Sequence, residues 1–332
     1  MPNVLILTTA AAAAGAAFLA VAATPGRAQA PAPPALTWPV DCRVGATCEI
    51  QHYVDDDASP GVKDYACGNR TYDAHNGVDI RLRDMAAQRW GVAVLAAADG
   101  RVLRVRDGVA DVSVRTAGAG AVKDIECGNG LVIAHAGGFE TQYCHMAQGS
   151  LSVKPGDEVK AGARLGRVGM SGLAEFPHLH ITVRQNGKVV DPFAFGAAPG
   201  SCRGGRSLWR QTPAYAERVV LNTGFAAAPV SMESVEAGGI APPTAAAGAL
   251  VAYVRAVGLK AGDVQSLTLK APDGSTAFQT TAEPLPRNQA QRLLYGGRRR
   301  PAQGWGKGRY RATYTVSAGG KVVLSRSFEV SL

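Results

Sequence analysis

His178-Leu179-His180-Ile181-Thr182-Val183-Arg184-Gln185-Asn186-Gly187-Lys188-Val189-Val190 reads as strand, turn, strand. Asn-Gly is the pair that a two-residue hairpin turn demands, because both central positions need positive φ. Ile181, Thr182 and Val183 favour extended backbone. Residues two apart on a strand share a face, so His178 and His180 turn both imidazoles toward one site. One ring can bind a metal ion while the other stays free to move a proton, since imidazole titrates near neutrality.

The text on either side has the same character. From about 40 to 200, short β-branched runs alternate with Gly, Pro, Asn and Asp. Gly91–Val105 reads as a hairpin turning at Asp99-Gly100. Leu131–Ala134 and Thr141–His145 flank a turn at Gly137-Gly138, and Val153–Val168 carries turns at Pro155-Gly156-Asp157 and Ala161-Gly162. The only helix expected is a short one near Asp84–Arg89. The Val153–Gly162 turn is shared by many small β-folds, and no isolated lysine at a hairpin tip marks a carrier domain. Residues 200–215 read as a connector. Beyond 217, Val219–Phe225, Leu250–Ala256, Val264–Lys270, Tyr310–Val316 and Val322–Val330 are separate strands, the spacing of a small Ig-like β-sandwich. The expected fold is therefore all-β, in two domains, 40–210 and 217–332.

Val4–Ala23 is nearly free of charge, and Ala28-Gln29-Ala30 has the form of a signal-peptidase site. Residues 1–30 are expected to be a signal peptide, with cleavage after Ala28 or Ala30. An uncleaved membrane anchor is the alternative. Residues 31–39 form a Pro-rich linker. The remainder is then exported, periplasmic or secreted, and six cysteines in an oxidising compartment are expected to pair. Six allow 15 connectivities. Cys127 and Cys144 flank one hairpin, Cys42–Cys48 is a local loop, and Cys67 with Cys202 would tie the ends of the first domain. A formal charge of +9 suits a polyanionic cell envelope, or simply a soluble basic surface. Export argues against nucleic acid.

His75-Asn76-Gly77-Val78-Asp79 stands where a loop enters a strand, so both side chains can reach one ion. Two His and one Asp leave a fourth tetrahedral position open, the pattern of a catalytic rather than a structural zinc. His135 and His145 lie in Val132-Ile133-Ala134-His135 and Gln142-Tyr143-Cys144-His145-Met146. His52 lies outside these motifs and is expected on the surface or in packing. No His or Cys follows position 202, so a zinc site in the second half is not expected.

Residues 67–195 resemble the lysostaphin-type zinc endopeptidases. The resemblance rests on His75-Asn76-Gly77-Val78-Asp79, Gly91–Val102, Cys127–His135, Thr141–Met146, Val168–Gly172, Pro177–Ile181 and Val190-Asp191-Pro192-Phe193, in order and spacing. It implies that His75, Asp79 and His180 bind Zn2+ and that His145 and His178 are the catalytic pair. It offers Tyr72 as an oxyanion donor and leaves His135 structural. It implies a peptidoglycan endopeptidase, with a zinc-binding activator of another wall hydrolase and an exported peptidase on proteins as alternatives. The family's usual Thr-Gly before Pro-His-Leu-His is replaced by Leu173-Ala174-Glu175-Phe176, which places Glu175 and Phe176 at the groove wall. The second half is expected to aid targeting or partner binding, with the cationic stretch Arg298–Arg300, near Lys307, Arg309 and Arg311, either an envelope-binding patch or a solvated loop.

Overall fold

Turn-punctuated β-branched text gives a chain whose regular structure is nearly all strand. The computed structural model describes residues 1–8, 32–198 and 200–332. The expected cleavage sites and most of the expected leader lie outside the described residues. Met1–Pro31 and Ala32–Leu332 are separate compact units. Among the described residues, no helix is long and apolar enough to cross a membrane.

In the second unit the elements run β1 (Cys48–His52), β2 (Val78–Leu82), α1 (Met85–Trp90), β3 (Ala93–Leu95), β4 (Gly100–Arg106), α2 (Val114–Ala117), β5 (Asn129–Ala134), β6 (Phe139–Met146), β7 (Glu158–Val159), β8 (Arg164–Arg167), β9 (His178–Gln185) and β10 (Lys188–Val189). The order in the main sheet is β1-β2-β9-β6-β5-β4-β7, with β10 paired to β9 across the Asn186-Gly187 turn. The chain continues with β11 (Val219–Ala226), α3 (Met232–Ala237), β12 (Ala249–Leu259), β13 (Val264–Lys270), β14 (Thr276–Thr281), β15 (Gln289–Arg299), β16 (Arg309–Ala318) and β17 (Lys321–Ser331). These strands form one sheet ordered β11-β12-β15 and another ordered β14-β13-β16-β17.

Each half has its own core. Leu36, Val78, Ile80, Leu82, Ile133, Leu179 and Ile181 are among the fully buried side chains of the first. Leu250, Val254, Leu267, Leu269, Tyr314 and Val316 fill the space between the two later sheets. Leu36 and Thr37, within the expected linker, donate their amides to Leu208 and Ala97 of the first half. The expected disulfides Cys42–Cys48, Cys67–Cys202 and Cys127–Cys144 are all present. The short helix also forms as expected, with Asp84 capping it through Ala87 N–H.

Three sequence expectations change. Gly91–Val105 is not a hairpin: β3 pairs with β8, while β4 pairs with β5 and β7. Asp99-Gly100 still turns the chain, but toward a different strand partner, and local turn chemistry carries no information about partners. Strands β14 and β15 escaped the sequence reading because their text is polar, as exposed sheet faces allow. For the same reason Arg298 and Arg299 end a strand rather than lie in a loop.

Candidate metal and active site

Strand β2 is buried on both sides. Val78, Ile80 and Leu82 face the core, and alternation turns Asp79 and Arg81 to the opposite face. On neighbouring β9, His180 stands opposite Asp79 and His178 opposite Arg81. His75 arrives from the loop before β2. Gly77 is required there by close approach, because an added Cβ would lie 2.5 Å from His180 Nε2 and 2.7 Å from the Ile181 carbonyl.

The three donors converge. Asp79 Oδ1 lies 2.9 Å from His180 Nδ1 and 3.2 Å from His75 Nε2, and these two nitrogens are 3.2 Å apart. Tetrahedral zinc with bonds of ~2.0–2.1 Å would separate its ligand atoms by about 3.3 Å, so the triangle fits that ion. His75, Asp79 and His180 thus form a metal-binding group. The tautomers suit the task. His75 Nδ1–H donates to the Tyr53 carbonyl at 2.6 Å, which leaves Nε2 bare toward Asp79. His180 Nε2 is engaged by Asn76 Oδ1 and Thr182 Oγ1 at 3.2 and 3.0 Å, leaving Nδ1 as the donor atom.

His52 does not behave as a surface or packing residue. Its Nδ1–H donates to Asp79 Oδ2 at 2.9 Å, the oxygen that the other three rings leave free. A ligating carboxylate oriented in this way keeps Oδ1 aimed at the ion. No local signal marks His52, because its link to Asp79 is a cross-strand pairing of β1 with β2.

His145 and His178 lie beside this group with ring centroids 4.6 Å apart. Each gives its Nδ1–H to a backbone carbonyl, Ser171 and Phe176 respectively, both at 2.8 Å. Each neutral ring therefore presents a bare Nε2. His145 is the left-handed residue of β6, with φ 61°. Without that reversal, alternation would turn it to the core with Tyr143. Its amide bond to the Cys127 carbonyl, 2.8 Å, holds the conformation.

Charge follows from this crowding. Burial pushes the Asp79 carboxyl up, but His75, His178, His180 and His52 outweigh it and hold it well below the usual range. Burial, with the His178 and His180 rings, holds His145 well below the ordinary imidazole value. Burial presses His178 down to about 4 against the pull of Asp79. Both rings are neutral at pH 7.

His75, His145 and His180 open on a cleft of about 270 Å³ that Tyr72, Glu126 and Arg184 also line, while Asp79 and His178 are buried behind it. Tyr72 is half exposed, and its ring lies 4.3 Å from that of His75. Leu173 lines the cleft, but Glu175 and Phe176 do not. Glu175 turns outward to Arg115, and Phe176 is buried against His178. His135 bonds Asp99 O and Thr141 Oγ1 away from the site.

His75, Asp79, His145, His178 and His180 lie within a segment that is similar to known proteins. Residues 73–192 match the model of Peptidase family M23. The chain carries a peptidase M23 domain, of the lysostaphin-type family. It is 31% identical over 137 residues to an uncharacterized metalloprotease of Haemophilus influenzae, covering 41% of this chain and 24% of that protein. It is 32% identical over 117 residues to the peptidoglycan DD-endopeptidase ShyB of Vibrio cholerae, covering 35% of this chain and 22% of the relative. A zinc-containing peptidase structure from Vibrio cholerae is 26% identical, with TM-score 0.28, over 43% of this chain and 38% of that one. The chain thus spans less than a quarter of the length of these curated relatives.

Proposed function

We propose that the protein is an exported zinc endopeptidase that hydrolyses the peptide cross-links of bacterial peptidoglycan. Residues 40–210 form the peptidase domain and 217–332 an accessory β-sandwich. The observation that carries the reading is the His75–Asp79–His180 donor triangle at an open cleft that His75, His145 and His180 line, with the bare Nε2 atoms of His145 and of the buried His178 beside it. The V. cholerae relative, a peptidoglycan DD-endopeptidase by name, supports the substrate class.

His75, Asp79 and His180 would hold the zinc. When bound, zinc supplies Lewis acidity and brings water at the site near neutrality in pKa. His145 Nε2 or His178 Nε2 accepts the proton of the attacking water and delivers it to the leaving nitrogen. The peptide C–N bond breaks, and the water is divided between the new carboxylate and the new amine. The Tyr72 hydroxyl, at the cleft mouth, donates to the carbonyl oxygen as negative charge develops there.

The test is to incubate cross-linked muropeptide dimers with the zinc-loaded protein and read the products by mass spectrometry. Monomers carrying one added water are expected, with loss of cleavage under chelation and recovery on adding zinc. Release of free sugars, or of stem peptides cut at the lactyl amide, would overturn the assignment.

A further inference from the structure

Arg81 has no place in the chemistry above, yet it is fully buried and shares a sheet face with Asp79. A guanidinium taken wholly out of water needs a partner. Among the described residues, the hydrogen-bond acceptor that the first half supplies is the Gln51 side chain, whose Oε1 accepts from Arg81 Nη1 at 3.2 Å. The rest comes from beyond residue 217. Glu236, on α3, accepts from Arg81 Nη2, and Gln291 Oε1 on β15 accepts from Nη1 at 3.1 Å.

Glu236 is itself fixed in place. The same oxygen accepts from Arg255 Nη1. Arg255, also fully buried, donates from Nε to Asn222 Oδ1 at 2.9 Å and from Nη2 to the Arg83 carbonyl beside β2. One carboxylate therefore holds two buried guanidinium groups, one from each half of the chain. Without its charge two guanidinium groups held out of water would face each other with no anion between them.

The other side of Arg81 leads to His178. Its Cζ lies 3.8 Å from the centroid of the Phe176 ring, a stacked cation–π contact. The Phe176 ring packs on His178, centroids 4.9 Å apart, and the Phe176 carbonyl receives the His178 Nδ1–H. That bond selects the tautomer with Nε2 bare.

We propose that Glu236 of the carboxy-terminal half is a positioning residue for His178, acting through Arg81 and Phe176. The second half is then part of the catalytic apparatus, because it fixes the residue that sets the orientation and tautomer of a catalytic ring. This rests on the proposed role of His178, so the test carries a readout that needs no turnover.

The full-length, zinc-loaded Glu236→Gln protein is compared with wild type in two ways. Steady-state cleavage of muropeptide dimers should show kcat lower by about tenfold, with KM within about twofold, since a displaced catalytic group costs rate rather than substrate binding. Imidazole 15N NMR should show His178 moving from a single Nδ1–H form to a mixture, with His135 unchanged as internal control. An unmoved kcat, or an unmoved His178 spectrum, overturns the proposal. If the wild-type protein cleaves no muropeptide, the assigned function fails and the NMR comparison alone decides the positioning role. If Glu236→Gln does not fold, Gln291→Ala removes a neutral contact to the same guanidinium. It is expected to move both readouts in the same directions by a smaller amount, and no movement in either overturns the proposal.

Discussion

At φ 61°, His145 holds a conformation that side chains with a Cβ rarely adopt, and it does so at the end of a strand. Its amide and its Nδ1 are both spoken for by carbonyls, and only Nε2 remains for chemistry. His180, by contrast, has its Nδ1 within 2.9 Å of Asp79 and belongs to the donor triangle. The two should therefore separate in experiment. His180→Ala is expected to lose bound zinc, while His145→Ala keeps it and loses at least about 100-fold in kcat. Metal analysis alongside rates checks this, and loss of zinc from the His145 variant would reassign the roles. His52 makes a third case. With Asp79 Oδ2 left without its donor, His52→Ala should bind zinc about 10- to 100-fold more weakly while the triangle itself remains. Competition with a chelator of known affinity measures that, and unchanged affinity would show that Asp79 needs no support from β1.

The edge strand β1 carries a second buried acid. Glu49 stands opposite Arg81 and is 7% exposed. Burial pushes its carboxyl up to about 7, with Arg70, Arg83 and Arg326 pulling the other way. A carboxyl that titrates near 4.3 when unfolded thus binds its proton more tightly in the fold. Its stabilising contribution is complete below about pH 4.3 and is lost as pH rises toward about 7. The size is at most about 4 kcal/mol. Glu49→Gln should remove this part of the pH dependence. Denaturant melts of zinc-loaded wild type and variant at pH 4.5, 6 and 7.5 give the comparison. The variant's advantage should grow across that series, and a constant difference would mean that Glu49 is ionised throughout.

At the scale of the whole chain, the formal charge is +9 and the cations are not spread evenly. Arg309 and Arg311 are engaged by Glu329, while Arg298, Arg299, Arg300 and Lys307 are exposed near one end of the second half. Polyanionic wall should bind this face, and the binding should weaken with salt, because exposed charges are screened beyond about 8 Å at physiological ionic strength. Replacing Arg298, Arg299 and Arg300 with Glu should abolish the salt-sensitive part of sedimentation with intact wall while leaving cleavage of soluble muropeptides unchanged. Equal sedimentation of variant and wild type would remove the patch from wall binding. Zinc occupancy should be the same in both, since the patch shares no residue with the site.

Much of this was legible in the sequence, and for local reasons. Turn dipeptides and β-branched runs determined an all-β chain. The two-residue alternation at His178 and His180 determined that both rings share a face. Even cysteine count and loop spacing indicated the three bridges. What only the tertiary structure decided were relations between segments distant in the chain. The mispairing of β3 and β4 is one case, since a turn fixes where the chain reverses and not which strand it meets. His52 is another, because its hydrogen bond to Asp79 spans 27 residues and leaves no spacing signal. Arg81 is the third. An alternating strand assigns it to the face of Asp79, but its burial needs Glu236, 155 residues away, and that contact exists only once α3 and β15 are packed beside β2. Local propensity specifies each strand's conformation. Partner choice depends on the burial of whole faces and on pairing each buried charge, and those are properties of the assembled fold.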